Sequence, residues 1–168
     1  ACQEACPVHI EHIPKIIEAR RHQVLMESKM PETAQTFLKS MDERMPPWKG
    51  TRFSRTDWME GMGVTTMAED PSHEVLLWVG CTPALDPRSQ NVARAMASVL
   101  KVAGVRYRVL GSEETCTGDP ARRMGNEYLF QVQAEQNIET LTNYGVQKIL
   151  TLCPHCFNTM KNEYPQLG

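Results

Sequence analysis

Short strand-like runs alternate with longer amphipathic stretches along the second half of the chain. Residues 74–80 (EVLLWVG) form a continuous apolar run, which is typical of a strand buried on both faces. Residues 106–110 (RYRVL) and 146–152 (VQKILTL) are two further runs of strand length. Between the first two runs, residues 86–103 repeat apolar positions at helical spacing, and Gly104 follows as a stop. This helix has Val92, Met96, Val99, Leu100 and Ala103 on one face.

A second helical region separates the second and third strands. Asp119 is a suitable N-cap and Pro120 suits the first helical position, so a helix or helix pair is predicted from there to about Tyr144. Gly145 is its expected end, and Pro154 begins a last helix after the third strand. Strands that alternate with helices in this way imply parallel pairing through right-handed crossovers. We therefore predict an α/β fold with a parallel sheet for this half of the chain.

The residues before the first strand have a different character. A helix is predicted from Pro14, with an apolar stripe formed by Ile16, Ile17, Val24 and Leu25. A second helix is predicted over residues 32–44, behind Pro31, with an apolar side formed by Phe37, Leu38 and Met41. Residues 45–73 are rich in Pro and Gly and indicate a linker or wrapping loop, with anchors at Trp48, Phe53 and Trp58. The predicted units are residues 1–30, 31–73 and 74–168.

Composition excludes some classes of partner. The chain has 168 residues, 41% of them hydrophobic and 23% charged, as in an ordinary globular domain. A net charge of −2 and a pI near 6.2 give no basic footprint for nucleic acid, so no nucleic-acid partner is expected. The longest apolar run, Val75 to Val79, is too short to cross a bilayer, and no secretory signal is present. Any membrane attachment is therefore expected from a segment or partner outside this sequence.

Four of the six cysteines fall where the predicted strands end. Cys81 follows the first strand, and Cys116 follows the second strand and precedes a helix. Cys153 ends the third strand, and Cys156 lies in the first turn of the helix behind it. Because the carboxyl ends of parallel strands share one edge of a sheet, we expect these four thiols to meet there.

Four thiolates at one edge have three uses that stay open at this point. Disulfide pairing is disfavoured because secretory features are absent. A structural zinc ion accepts four cysteines, and so does a [4Fe–4S] cluster, which tolerates widely separated ligands. The spacing Cys–x34–Cys–Thr–x35–Cys–x2–Cys has two long gaps, each about the length of one strand–helix crossover unit. Because the ligands are so widely separated in sequence, we favour the cluster.

The N-terminal cysteines form a separate signal. Cys2–x3–Cys6–Pro7 matches the end of the ferredoxin run C-x2-C-x2-C-x3-C-P. In two-cluster ferredoxins the last cysteine of this run serves the other cluster, so Cys2 and Cys6 are expected to contribute to two different clusters. Their remaining ligands lie before Ala1 on this interpretation, which indicates a chain that begins inside a longer protein.

The segment Cys153–Pro154–His155–Cys156 has a competing interpretation. A C-x-x-C pair between a strand and a helix is also typical of thioredoxin-like redox proteins. In that fold most of the sheet follows the motif, whereas only 12 residues follow Cys156 here. We therefore disfavour disulfide exchange. His155 is then either a hydrogen-bond donor to cluster sulfur or an exposed residue of the helical turn.

Three motifs together resemble a known family. They are Gly80–Cys81–Thr82–Pro83, the run from Cys116 to Arg123 (CTGDPARR), and the run from Cys153 to Asn158 (CPHCFN). These resemble the cysteine-rich (CCG) domain of the heterodisulfide reductase B subunit family, which includes iron–sulfur subunits of glycolate, lactate and glycerol-3-phosphate oxidation. With the ferredoxin-like start, the chain looks most like membrane-bound iron–sulfur oxidoreductases that pass electrons from electron-transfer flavoprotein to menaquinone.

The resemblance implies an electron-transfer component. It implies a [4Fe–4S] cluster in the cysteine-rich domain and two ferredoxin-type clusters in a preceding helical domain that ends near residue 30. It also implies redox partners, namely electron-transfer flavoprotein, a quinone-reactive membrane subunit and other redox subunits or segments. The expected location is cytoplasmic, at the inner face of the cytoplasmic membrane. No catalytic residues are assigned, since no paired carboxylates or nucleophile–base set stands out.

One position departs from the family pattern. The family has a Cys–Cys pair where this chain has Cys116–Thr117. In heterodisulfide reductase the doubled cysteine helps hold a noncubane cluster with five thiolates, whereas four thiolates suit an ordinary cubane. Electron transfer is therefore preferred over disulfide reduction, with Thr117 as a hydrogen-bond donor to cluster sulfur. A heterodisulfide reductase subunit and a zinc-stapled interaction domain remain as alternatives.

Overall fold

The computed structural model describes residues 2–43 and 54–167. Before the sheet lie the helices α1 (Cys2–Ala5), α2 (Ile13–Arg21) and α3 (Glu32–Asp42). The second half contains the strands β1 (Val75–Trp78), β2 (Tyr107–Arg108) and β3 (Ile149–Thr151), with the helices α4 (Cys81–Leu85), α5 (Pro87–Val102), α6 (Asp119–Met124), α7 (Glu127–Asn143) and α8 (Pro154–Asn158). A π-turn (His22–Met26) extends α2, and another (Thr159–Glu163) extends α8. Among the described residues no helix combines the length and apolar character needed to span a bilayer.

The three strands form one parallel sheet with β1 in the middle. Its order is β2-β1-β3, with Val75 opposite Tyr107 and Leu77 opposite Leu150. This confirms the predicted α/β fold with a parallel sheet. The strands are shorter than predicted because the hydrogen-bonded ladder is brief, and most of the structure is helical.

The central strand is buried on both faces, as its apolar run predicted. Leu77 and Val79 pack on one face with Trp58 and with residues of α4 and α5. Leu76 and Trp78 pack on the other face among residues that include Met67, Leu110, Tyr144 and Met160. Alternate residues of one strand therefore hold two cores together.

The apolar face predicted for α5 is buried only in part. Leu100 is buried, but Val92 and Val99 are 53% and 60% exposed. The helix instead packs through Gln90, Ala93, Ala97 and Leu100. It carries two apolar stripes, and the one with small alanines permits a closer approach to the sheet, so that stripe faces the core.

The start of α6 lies one residue from its predicted position. Asp119 is the first helical residue, and Gly118, with φ +84°, precedes it as N-cap. The predicted helix pair is confirmed, because Gly125 ends α6 and the side chain of Asn126 caps α7 by accepting from the N–H of Leu129 at 3.1 Å. Gly145 follows α7 with φ +64°, as expected for a helix stop.

The first helices behave differently from each other. Helix α3 follows Pro31 and buries Leu38 and Met41 against Phe130 and its neighbours, as predicted. Helix α2 buries no residue: Ile16 of the predicted apolar stripe is 45% exposed, and Leu25, in the π-helical turn behind the helix, is 47% exposed. Its contacts with the second half are made largely by polar side chains and backbone instead.

The segment predicted as a wrapping loop packs against the sheet where it is described. Trp58 is 1% exposed and packs beside β1, as predicted for an anchor. Thr66 forms a parallel bridge with Val109, and Asp70 pairs with Arg108 of β2. The other two predicted anchors, Trp48 and Phe53, lie outside the described residues.

Helix α2 docks on the corner between α6 and α7. Arg20 donates to the carbonyl of Arg123 at 2.7 Å, and Arg21 pairs with Glu127 at 2.8 Å. Gly125, with φ +94°, allows this approach, because a Cβ there would lie 2.5 Å from the carbonyl carbon and oxygen of Arg20.

Gly125→Ala is therefore expected to separate α2 from the corner. It should also lose stability because alanine is unfavourable at a positive φ. Gly145→Ala is the matched control, because it has φ +64° and open space around its Cβ position. The control should lose only about 1–2 kcal/mol for the left-handed backbone. Urea unfolding should show a larger loss for Gly125→Ala, and trypsin should cleave faster after Arg20 and Arg21. Equal stability losses and equal cleavage rates would contradict this packing.

Candidate metal centre

The end of β1 leads directly into the first cysteine. The chain turns at Gly80, with φ +85°, and α4 begins at Cys81. A Cβ on Gly80 would lie 3.7 Å from both Cys153 Cβ and Cys156 Sγ. The loop after β1 therefore touches the loop after β3, and Cys81 lies beside the C-x-x-C pair.

The loop after β3 holds two thiols with opposite tendencies. Cys153 precedes α8 as its N-cap, and Cys156 is buried in the first turn. The pKa of Cys153 is lowered to about 5, mainly because the Cys156 thiol donates to it and the N–H groups of Cys156 and His155 face it. The pKa of Cys156 is raised, because its proton is held in that hydrogen bond and the side chain is buried. This pair therefore stores one negative charge at the start of a helix.

The loop after β2 brings the remaining cysteine to the same edge. The pKa of Cys116 is raised to about 12, mainly because the thiol is buried and secondly because of the negative charge of nearby Cys81. The buried Thr117 hydroxyl donates to Cys156 Sγ at 3.9 Å. A Cβ on Gly118 would lie 2.9 Å from the Phe130 ring, so the turn behind this cysteine depends on glycine.

A polar network holds the Cys116–Thr117 backbone in place. Asn137 donates to the carbonyl of Cys116 at 2.9 Å and to the Tyr164 hydroxyl at 3.1 Å. The Tyr164 hydroxyl donates to the carbonyl of Thr117 at 3.1 Å, and Thr115 donates to the Asn137 side chain at 2.8 Å. These bonds use a helix α7 side chain and a C-terminal tyrosine to fix the position of one thiol.

His155 lies at the rim of the site. Its side chain is 73% exposed, and Nδ1 lies 3.1 Å from a carboxylate oxygen of Asp119. The other oxygen of Asp119 accepts from Arg123 at 3.0 Å and from Thr159 at 3.2 Å. Asp119 thus ties the start of α6 to α8, which explains why it is buried and does not serve as the predicted N-cap.

Two charged residues at the site were missed by sequence reasoning. The Glu114 carboxylate is buried and accepts from the N–H groups of Val79 at 2.9 Å and Gly80 at 2.7 Å. Arg55 lies 3.2 Å from the same carboxylate. Burial raises the pKa of Glu114, although Arg55 and the two N–H groups oppose that shift. No spacing or helical pattern marks either residue, and Arg55 comes from the segment that looked like a linker.

The four thiols of the second half influence one another across the site. The charge of Cys153 raises the pKa of Cys81, that of Cys81 raises the pKa of Cys116, and that of Cys116 raises the pKa of Cys156. All four are free thiols. Within residues 2–43 and 54–167, no three Cys, His, Asp or Glu side chains are close enough to hold a single metal ion.

The N-terminal cysteines lie elsewhere in the chain. Cys6 is a free thiol just after α1, and its pKa is lowered mainly because the N–H groups of Ile10 and Val8 face the sulfur. The side chain of Cys2 lies outside the described part. The assignment of this pair to ferredoxin-type clusters therefore stays a prediction.

Comparison with known proteins decides the family. Residues 75–161 match the profile of the cysteine-rich domain, CCG, which includes all four thiols of the site. This chain belongs to the cysteine-rich (CCG) domain family. The resemblance inferred from the three sequence motifs is thereby confirmed.

Relatives in this family are iron–sulfur oxidoreductase components. The chain is 44% identical to EtfAB:quinone oxidoreductase from Syntrophomonas wolfei, in a match that covers the whole chain and 24% of that relative. It is 41% identical, over 99% of its length, to 25% of the probable iron-sulfur-binding oxidoreductase FadF from Bacillus subtilis. It is 30% identical to one subunit of the dihydromethanophenazine:CoB–CoM heterodisulfide reductase from Methanosarcina mazei. That match covers 78% of the chain and 31% of the relative. The chain thus spans about a quarter of the first two relatives, and no solved structure matches it.

The metal-free chain should show a strong contrast between its thiols. Cys153, with a pKa of about 5, is ionised at pH 6.5, whereas Cys116, with a pKa of about 12, stays protonated. Brief iodoacetamide treatment followed by peptide sequencing should therefore label Cys153 well before Cys116. Labelling of Cys153 should slow as the pH falls through about 5, because the thiolate becomes protonated. Equal labelling rates at pH 6.5 would contradict the described environment of these thiols.

Proposed function

We propose that Cys81, Cys116, Cys153 and Cys156 bind one [4Fe–4S] cluster and that the chain is an electron-transfer segment of a longer iron–sulfur oxidoreductase. The observation that carries this proposal is the meeting of three loops, each following a strand, at one sheet edge. The space beside Gly80, where a Cβ would lie 3.7 Å from both Cys153 and Cys156, and the hydrogen bond from Thr117 to Cys156 link all three loops. Four thiolates are the ligand set that such a cluster requires.

The chemistry of the donor set fits this cofactor. Cys81 and Cys116 are thiols whose burial raises the pKa, so ionising them needs positive charge close by. Bound iron would supply that charge. A cluster places each thiolate on a different iron, so its ligands lie farther apart than the four ligands of one zinc ion. The arrangement therefore favours a cluster over the zinc-stapled alternative.

A buried indole gives independent support. The Nε1 of Trp78 is buried and has no hydrogen-bond partner in the part of the chain described. Trp78 belongs to the same packed group as Cys153 and Cys156. An unsatisfied buried donor costs about 1–3 kcal/mol, and sulfide of a bound cluster would be a suitable acceptor.

The protein's own residues have distinct parts in this proposal. When bound, the cluster accepts and passes on single electrons. The Thr117 hydroxyl donates to Cys156 sulfur, and such bonds stabilise the more reduced, more negative centre. Asn137 and Tyr164 hold the carbonyls beside Cys116, so that this thiol keeps its place when the charge changes. Asp119 holds His155 at the rim.

The larger role follows from the relatives. Because the chain is 44% identical to part of an EtfAB:quinone oxidoreductase, we infer transfer of electrons from an electron-transfer flavoprotein towards a quinone. Cys2 and Cys6 would serve two ferredoxin-type clusters with ligands supplied by other residues. A relative from Chromohalobacter salexigens is named a probable membrane-anchored ferredoxin, which supports a place at a membrane. We propose that this place is the inner face of the cytoplasmic membrane.

A second candidate is a component of a disulfide reductase. The Methanosarcina mazei relative is named as part of such an enzyme. Thr117, in the position of the doubled cysteine, leaves this edge with four thiols, and we therefore prefer simple electron transfer.

Loss of single thiols tests the ligand set. The chain, prepared without oxygen, should contain about four irons and four acid-labile sulfides and give an EPR signal after dithionite reduction. Cys81→Ala and Cys116→Ala should lose most of this iron and the signal. Thr117→Val and Cys6→Ala are the controls and should keep both, since the first removes no thiol and the second removes one outside the site. Zinc without sulfide, or full iron in Cys81→Ala, would contradict the proposed centre.

A further inference from the structure

We propose that Arg55 and Glu114 form a buried charge pair whose opposite effects on the reduction potential of the centre balance each other, with Glu114 also fixing the backbone that leads to Cys81. Neither residue is a ligand; both act through the charge and position that they impose. This inference rests on the proposed function, because it requires a cluster on the four cysteines.

Glu114 acts on the backbone immediately before the first thiol. Its side chain is 3% exposed, and its two oxygens accept separately from the N–H groups of Val79 and Gly80, at 2.9 and 2.7 Å. Val79 and Gly80 directly follow β1, so their N–H groups lie beyond the hydrogen-bonded ladder of Val75–Trp78. A buried carboxylate that satisfies two consecutive backbone donors determines where Cys81 begins its helix.

Arg55 is brought to the same point by a different part of the chain. Its guanidinium lies 3.2 Å from Glu114, and its side chain is only 20% exposed. The neighbouring Trp58 is buried beside Val79 and Ala84, which anchors the loop that carries the arginine. The guanidinium is thus held beside the carboxylate that binds the backbone of Gly80, the residue immediately before Cys81.

The two charges have opposite effects on an electron that enters the centre. Reduction adds one negative charge, which a nearby cation stabilises and a nearby carboxylate destabilises. Because the pair is largely withdrawn from water, these effects are stronger than those of exposed charges. With both residues present the effects largely cancel, so removing one of them should expose the effect of the other.

Redox titration of the cluster-loaded chain, followed by EPR, tests this cancellation. Arg55→Gln should lower the potential and Glu114→Gln should raise it, each changing the equilibrium constant for reduction by about tenfold, or about 59 mV for one electron. The double variant should have a reduction potential close to that of the unaltered chain. Arg55→Lys, which keeps the charge, should stay near the unaltered potential.

Arg94→Gln is the matched control. Arg94 donates to the carbonyl of Asp57 at 3.3 Å and so holds the same loop, but this bond goes to the loop backbone and not to Glu114 or a thiol. Its loss should leave the potential within about a twofold change of the equilibrium constant.

Iron and sulfide content, measured for every variant, separates the two proposals. An unaltered chain without a cluster would overturn the proposed function itself. Two results would overturn only the charge-pair inference. In the first, Arg55→Gln leaves the reduction potential of the cluster unchanged. In the second, Arg55→Lys and Arg94→Gln change the potential as much as Arg55→Gln does. If Glu114→Gln fails to retain a cluster, the comparison of the three arginine variants decides the electrostatic claim.

Discussion

Parallel strands end at the same edge of a sheet, and the candidate site depends on that constraint. Cys81, Cys116 and Cys153 are far apart in sequence, yet each follows a strand of one three-stranded sheet. The strands need only two to four residues, because β1 is held by apolar packing on both of its faces. A small sheet can therefore bring together a candidate ligand set that no single loop contains.

Bringing these thiols together in a partly buried place has an electrostatic cost. Burial raises the pKa of Cys81 and Cys116, while hydrogen bonds at a helix start lower that of Cys153. The surrounding residues reduce this cost with donors and positive charge, including the Thr117 hydroxyl and the Arg55 guanidinium. The same donors and positive charge would stabilise thiolate ligands and influence how readily a bound cluster accepts an electron.

The sequence was most informative where physical signals are local. The apolar run of β1, the Gly145 stop and Pro154 at the start of α8 were all predictable, and so was the family from its cysteine motifs. The buried stripe of α5 was not, because two apolar faces compete and only tertiary packing selects one. Arg55 and Glu114 meet across 59 positions, and no periodic pattern reports such a contact.

Anomalous diffraction at the iron edge, from crystals of the chain grown without oxygen, is the most direct measurement of the central claim. The account predicts one strong iron peak enclosed by Cys81, Cys116, Cys153 and Cys156, with each sulfur bound to a different iron. A centre that lacks Cys81 or Cys116 as a ligand, or iron found away from this edge of the sheet, would contradict it.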